Sequence, residues 1–188
     1  MAFQPSLPGL APPRRPEPAR TARTALARYP DVAPADLCTH AKILGQAGEH
    51  LVDCVLSTLG ERVIPTPEHE QFDRLVWLDQ RLLRVQIKTR HVPAAGGYDF
   101  IVRRGYQRGP DGTRPYDRGD FDMLALVALP HFVVKFTSEW HHAHRITAAE
   151  IPGLRRSPRA SFDDALRDLG LSDAIPNPAP DTTPNTAT

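Results

Sequence analysis

The chain has 188 residues, with 40 % hydrophobic and 24 % charged residues and a formal net charge of +1. These values suit a soluble globular domain and exclude collagen, a coiled-coil array and a wholly disordered chain. Near-zero net charge also argues against coating nucleic acid by bulk charge, while leaving room for a local basic site.

Eight of the twenty prolines fall in residues 1–34 and four more in 172–188. Both ends are poor in large apolar side chains and bury too little surface to offset chain entropy. Residues 1–35 and 172–188 are therefore expected to be disordered tails around one domain, 36–171. No apolar run approaches the roughly 18 residues of a membrane span. The N-terminus is Arg-rich and acid-poor, but it lacks a charged-then-apolar leader, and its prolines spoil an amphipathic helix. A cytoplasmic protein is expected. Cys38 and Cys54 have no framework of spacings and are read as reduced thiols on or near a helix.

In chain order, residues 41–60 predict a helix. Ile43, Leu44, Ala47, Leu51, Val52, Val55, Leu56 and Leu59 recur at three- and four-residue steps, and Gly60 marks the stop. A short strand is expected at 62–64. Residues 72–78 and 82–89 read as two strands joined by a turn at 79–81. A further strand is expected at 98–102, then a loop at 103–119. Two apolar runs follow, 121–129 and 131–136, split by Pro130. A last helix is expected near 161–169, with Ser161 as its N-cap. This order predicts an α/β core: a central mixed β-sheet flanked by helices.

Alternation along a strand puts Gln86 and Lys88 on one face and Val85 and Ile87 on the other. A hairpin returns Gln86 and Lys88 to the neighbourhood of Asp73. Glu49 lies on the flank of the helical apolar stripe, where it can lean over the sheet. Gly45 and Gly48 each cost about 1 kcal/mol inside a helix, which points to close approach of a backbone or a ligand. An acid pair, an amide and an ammonium suit metal-assisted phosphodiester hydrolysis. Asp73, Glu49, the Gln86 amide and the Ile87 backbone carbonyl offer hard oxygen ligands for Mg²⁺, with Mn²⁺ as a substitute. Lys88 can orient a water and neutralise developing charge.

Gly48-Glu49 in the helix, Asp73 in FDRLV, Gln86-Ile87-Lys88 in VQIKT, Tyr116, and DFDMLALV from Asp120 carry a resemblance. On these residues the chain resembles the PD-(D/E)XK nuclease superfamily, in particular its group I intron-associated endonuclease branch, and more distantly Holliday-junction resolvases. The resemblance covers about residues 43–136. It implies a restriction-endonuclease-like core, DNA as substrate and a magnesium-dependent endonuclease activity. Asp73 would take the metal-bridging role, Lys88 that of the catalytic lysine and Glu49 that of the helix-borne acid. Gln86 departs from the usual Asp or Glu. The resembled branch uses glutamine there, at the cost of one negative charge in the metal site. Phe72 stands where proline is usual.

Residues 103–119 hold Arg103, Arg104, Arg108, Arg114 and Arg118 with Tyr106 and Tyr116. The mixture suits phosphate contacts and base stacking, and equally a solvated loop balanced by Asp111, Asp117 and Asp120. Asp122 reads as a strand-end acid or as support for the site. His141, His142 and His144 lack a second ligand cluster for zinc and read as exposed histidines. Cutting both strands of DNA needs two sites, so a homodimer or higher oligomer is expected. The alternative is a nuclease-fold module without catalysis that binds DNA or a protein partner.

Overall fold

The computed structural model describes residues 21–79, 81–105 and 112–171. The expected tails at 1–20 and 172–188 lie outside the described residues. The chain divides into residues 1–39 and 40–188. The described part of the first unit carries two short helices, α1 (Ala22–Ala25) and α2 (Pro34–Thr39). Residues 21–35, read as tail, thus include one helix and the start of another.

The second unit opens with α3 (Ala41–Thr58), which buries Leu44, Gly48, Val52 and Leu56 along one face. The three- and four-residue spacing of these positions is what makes the segment an amphipathic helix. Past its C-cap Leu59 comes Gly60, whose φ of +89° a side-chain-bearing residue seldom adopts. Strands β1 (Arg62–Pro65), β2 (Arg74–Leu78) and β3 (Arg81–Arg90) follow. The hairpin between β2 and β3 is tighter than the sequence suggested. Leu78 pairs with Arg81, and Asp79 takes a left-handed φ of 45°. Two-residue hairpin loops demand such positive φ values.

After β4 (Gly97–Ile101), the segment expected to be a loop holds two further strands, β5 (Arg103–Gly105) and β6 (Thr113–Pro115), paired antiparallel. Then come β7 (Met123–Ala128), a 3₁₀ turn at Leu129–His131, β8 (Val133–Thr137) and β9 (Ala143–Thr147). Pro130 sits in the 3₁₀ turn, where its missing N–H costs no ladder bond. The chain closes with α4 (Ile151–Arg156) and α5 (Pro158–Asp168).

The fold class is mixed α/β, as expected. Five strands form the central sheet in the order β1-β2-β3-β7-β8, antiparallel except for the parallel pair β3–β7. The register places Ile87, Ala125 and Phe136 side by side on one face. Phe136 meets Phe162 of α5 edge-on at 5.1 Å, and Gly48 of α3 abuts Thr89. The opposite face carries Gln86, Lys88, Leu124 and Leu126. Its apolar part, Leu124, Leu126 and Ala128, packs with Tyr98 and Phe100 of β4, Ile146 of β9 and Ile151 of α4.

The N-cap of α5 is Ser157, not Ser161. Pro158 at the first helical position is pre-organised for helix and moves the start forward. Ser161 instead accepts a hydrogen bond at Oγ from the backbone N–H of Phe136, 3.1 Å away. Among the described residues no helix is long and apolar enough to cross a membrane. Cys38 and Cys54 are free, exposed and helical.

Candidate active site

Asp73 sits one residue ahead of β2, and its N–H donates to Val85 O at 3.0 Å. Since Arg74 pairs with Val85, the register carries Asp73 to a position opposite Gln86. Asp73 Oδ2 accepts from Gln86 Nε2 at 2.6 Å and from the Ile87 N–H at 2.7 Å. Gln86 Nε2 also donates to the Ile87 carbonyl at 3.1 Å. Both described hydrogen bonds to the Asp73 carboxylate thus fall on one oxygen. Burial and the nearby Glu49 carboxylate push its pKa up, against the Ile87 N–H, Lys88 and Arg74, which pull it down.

Glu49 reaches the same place from α3. Its Oε2 accepts from Arg74 Nη1 at 3.2 Å. Arg74 is buried, and its guanidinium fork closes on Asp53 through Nε at 2.6 Å and Nη2 at 3.0 Å. Nη1 also donates to the carbonyl of Asp73 itself at 2.7 Å. One planar cation therefore ties α3 to the start of β2 and sets Glu49 beside Asp73. Burial works against the Arg74 charge, but the bonds from Asp53 and Glu49 outweigh it and hold its pKa above the ordinary value.

Lys88 lies on the same strand face as Gln86. Its Nζ donates to Arg103 O at 3.1 Å and to Tyr116 Oη at 2.9 Å. Burial pulls its pKa down, and the Asp73 carboxylate partly restores it.

These residues line one open cleft of about 750 Å³, whose walls include Glu49, Asp73, Gln86, Ile87, Lys88 and Tyr116. Lys42, Gly45 and Gln46 of α3 form the wall toward its N-terminal end. Every proposed catalytic residue is brought to this cleft, as is the Ile87 backbone. Among the described residues no three His, Cys, Asp or Glu side chains gather closely enough to hold a metal ion.

The arginines read as nucleic-acid contacts separate into two kinds. Arg103 is exposed at the cleft rim. Arg104 is held by Gln71 Oε1 at 2.5 Å, Asp120 at 3.2 Å and Asp117 at 2.9 Å, so its guanidinium braces the root of β5. Tyr116 meets Phe121 in a T-shaped contact at 5.2 Å, and its hydroxyl is taken up by Lys88 Nζ at 2.9 Å. Tyr106 and Arg108 lie outside the described residues. Asp122 takes three hydrogen bonds from Arg84, from its backbone N–H, Nε and Nη2, and so acts as a strand-end acid. In the histidine run, Trp140 stacks on Phe121 at 4.7 Å and the rings of His141 and His144 lie 5.6 Å apart.

Arg74 and Asp53 are the participants the sequence reading passed over. Asp53 lies four residues after Glu49, on the same side of α3, and that spacing was the available signal.

No protein-family model matches the chain. No curated protein matches it by sequence. Among solved structures, it is similar to that of a bacterial homing endonuclease, with a TM-score of 0.50 and 17 % identity, covering 56 % of this chain and 77 % of the other. At that identity the likeness concerns the fold.

Proposed function

We propose that this protein is a metal-dependent endonuclease that hydrolyses phosphodiester bonds in DNA. One observation carries the reading: the Glu49 and Asp73 carboxylates, the Gln86 amide and the Lys88 ammonium line a single open cleft. A fold like that of a bacterial homing endonuclease supports it.

The donor set fits a hard divalent cation. Asp73 Oδ1 and Glu49 Oε1 accept no hydrogen bond from the described residues, and the raised pKa of Asp73 marks a site where added positive charge is favourable. Asp73, Glu49, the Ile87 carbonyl and Gln86 Oε1, once the amide turns over, would hold Mg²⁺ or Mn²⁺. Bound there, the ion supplies charge stabilisation at the phosphoryl oxygens and a more acidic water. Lys88 neutralises charge as it develops on the phosphoryl group. Arg74 keeps Glu49 and Asp73 adjacent, and Arg103 at the rim attracts the phosphate backbone. Cutting both strands calls for two clefts, so a homodimer or higher oligomer belongs to the proposal.

A second reading is a nuclease-fold module that binds DNA or a protein partner without cleaving. The Gln86 amide favours it, since its Nε2 donates to Asp73 Oδ2 and to the Ile87 carbonyl, one of the oxygens a cation would need. Plasmid nicking in Mg²⁺, Mn²⁺ or EDTA separates the two readings, with Asp73→Ala and Lys88→Ala as controls. Metal-dependent nicking abolished by Asp73→Ala and slowed by about 10³-fold in Lys88→Ala is expected. A folded wild type that neither nicks nor binds Mn²⁺ in a calorimetric titration sinks the nuclease reading in favour of the module.

A further inference from the structure

The β5–β6 hairpin touches Lys88 at both of its roots. Arg103 O, where β5 begins, and Tyr116 Oη, just past the end of β6, each accept a hydrogen bond from the ammonium. An ammonium has three N–H donors, so two are spent on the protein and their directions fix the third. The same nitrogen lies 4.9 Å from the centroid of the Tyr116 ring, beyond its hydroxyl end. The ring is held in turn: it meets Phe121 edge-on at 5.2 Å, and Phe121 stacks on Trp140 at 4.7 Å. Arg104 pins the hairpin root to Gln71, two residues before Asp73.

The phenol oxygen uses a lone pair on Lys88, so its own proton points elsewhere. Burial and the Asp73 carboxylate push the phenol pKa up, and the group therefore keeps that proton. A neutral oxygen can hold an ammonium in place without neutralising it, as a carboxylate would.

We propose that Tyr116 is a positioning residue for Lys88, its hydroxyl aiming the ammonium's remaining N–H at the phosphoryl group in the cleft. The inference rests on the nuclease reading. It departs from the base-stacking role expected of this tyrosine, whose ring is already packed.

The test is Tyr116→Phe in the full-length protein. This variant keeps the ring contacts and removes only the hydroxyl. Single-turnover plasmid cleavage should slow by about 10²-fold while DNA affinity, measured without metal, stays within about twofold of wild type. The double variant Tyr116→Phe/Lys88→Ala should cleave no more slowly than Lys88→Ala, because the tyrosine acts through the lysine. A readout independent of cleavage is the ¹⁵N–¹H signal of the Lys88 ammonium, whose proton exchange should speed up in Tyr116→Phe. Wild-type cleavage with an unchanged rate in Tyr116→Phe overturns the inference and leaves the nuclease reading standing. So does an additive loss in the double variant. A folded wild type that neither cleaves nor binds Mn²⁺ overturns the nuclease reading and with it the positioning role of Tyr116 in cleavage. An unaltered Lys88 signal then removes the coupling as well.

Discussion

Gly48 of α3 lies so close to Thr89 of β3 that a Cβ on the glycine would fall 2.0 Å from the threonine Oγ1. The helix carrying Glu49 is therefore seated directly on the strand carrying Gln86 and Lys88. Gly48→Ala forces β-branched Thr89 or the helix to move. We predict a loss of about 1–3 kcal/mol, the usual cost of overpacking, partly offset by about 1 kcal/mol of helix propensity. Urea unfolding checks it, and Thr89→Ala in the same chain should recover most of the loss.

Gly45, one turn earlier, meets nothing within 4 Å of a built Cβ, yet it lines the cleft. Packing inside the protein does not ask for glycine there. Gly45→Ala should raise stability by about 1 kcal/mol. If nucleic acid passes over this stretch of helix, Gly45→Leu should weaken DNA binding with the fold intact. Thermal melts and a gel-shift titration measure the two effects side by side.

Arg74 is 6 % exposed at its side chain and balances two carboxylates, at 36 % exposure for Glu49 and 31 % for Asp53. Arg74→Leu removes the cation that both acids share and leaves Asp53, among the described residues, only the exposed His50, 3.7 Å away. Breaking a fully buried pair costs about 3–5 kcal/mol, and because water reaches these carboxylates we expect about 2–3 kcal/mol here. Arg74→Lys should recover little, since one ammonium cannot span Asp53 in the two-pronged manner. Denaturant midpoints at fixed pH provide the measurement.

Asp122 offers a pH prediction. Burial pushes its pKa up, but the three bonds from Arg84 outweigh this and leave it below the ordinary value of 3.8. A carboxyl depressed in the folded state releases its proton more readily folded than unfolded. Its contribution is present above pH 3.8 and is lost as pH falls through the lower, folded-state value. Asp122→Asn should thus cost about 1–3 kcal/mol at neutral pH and converge on wild type in strong acid. Equal destabilisation at both pH values would contradict this.

Much of the site was legible because two short-range periodicities place it. The 3.6-residue repeat put Glu49 on the flank of a buried stripe, and the two-residue repeat put Gln86 and Lys88 on one strand face. The hairpin joining β2 and β3 then required only a register, which made Asp73 the partner of Gln86. The strands β5, β6 and β9 and helix α4 were not legible. β5 and β6 are three residues each and lie in an Arg- and Gly-rich stretch with no apolar alternation. Their strand form depends on pairing with one another.

The sequence by itself determined the amphipathic helix and the hairpin, because each follows from interactions between near neighbours in the chain, and it named the residues proposed for phosphodiester chemistry. Only the tertiary structure decided which charges are spent. Arg104 is committed to Asp117, Asp120 and Gln71, Arg74 to Asp53 and Glu49, and Arg84 to Asp122. Arg103 remains at the rim of the cleft. A cation's partners are chosen by distance in space and by burial, and for Arg74 they stand 21 and 25 residues away along the chain.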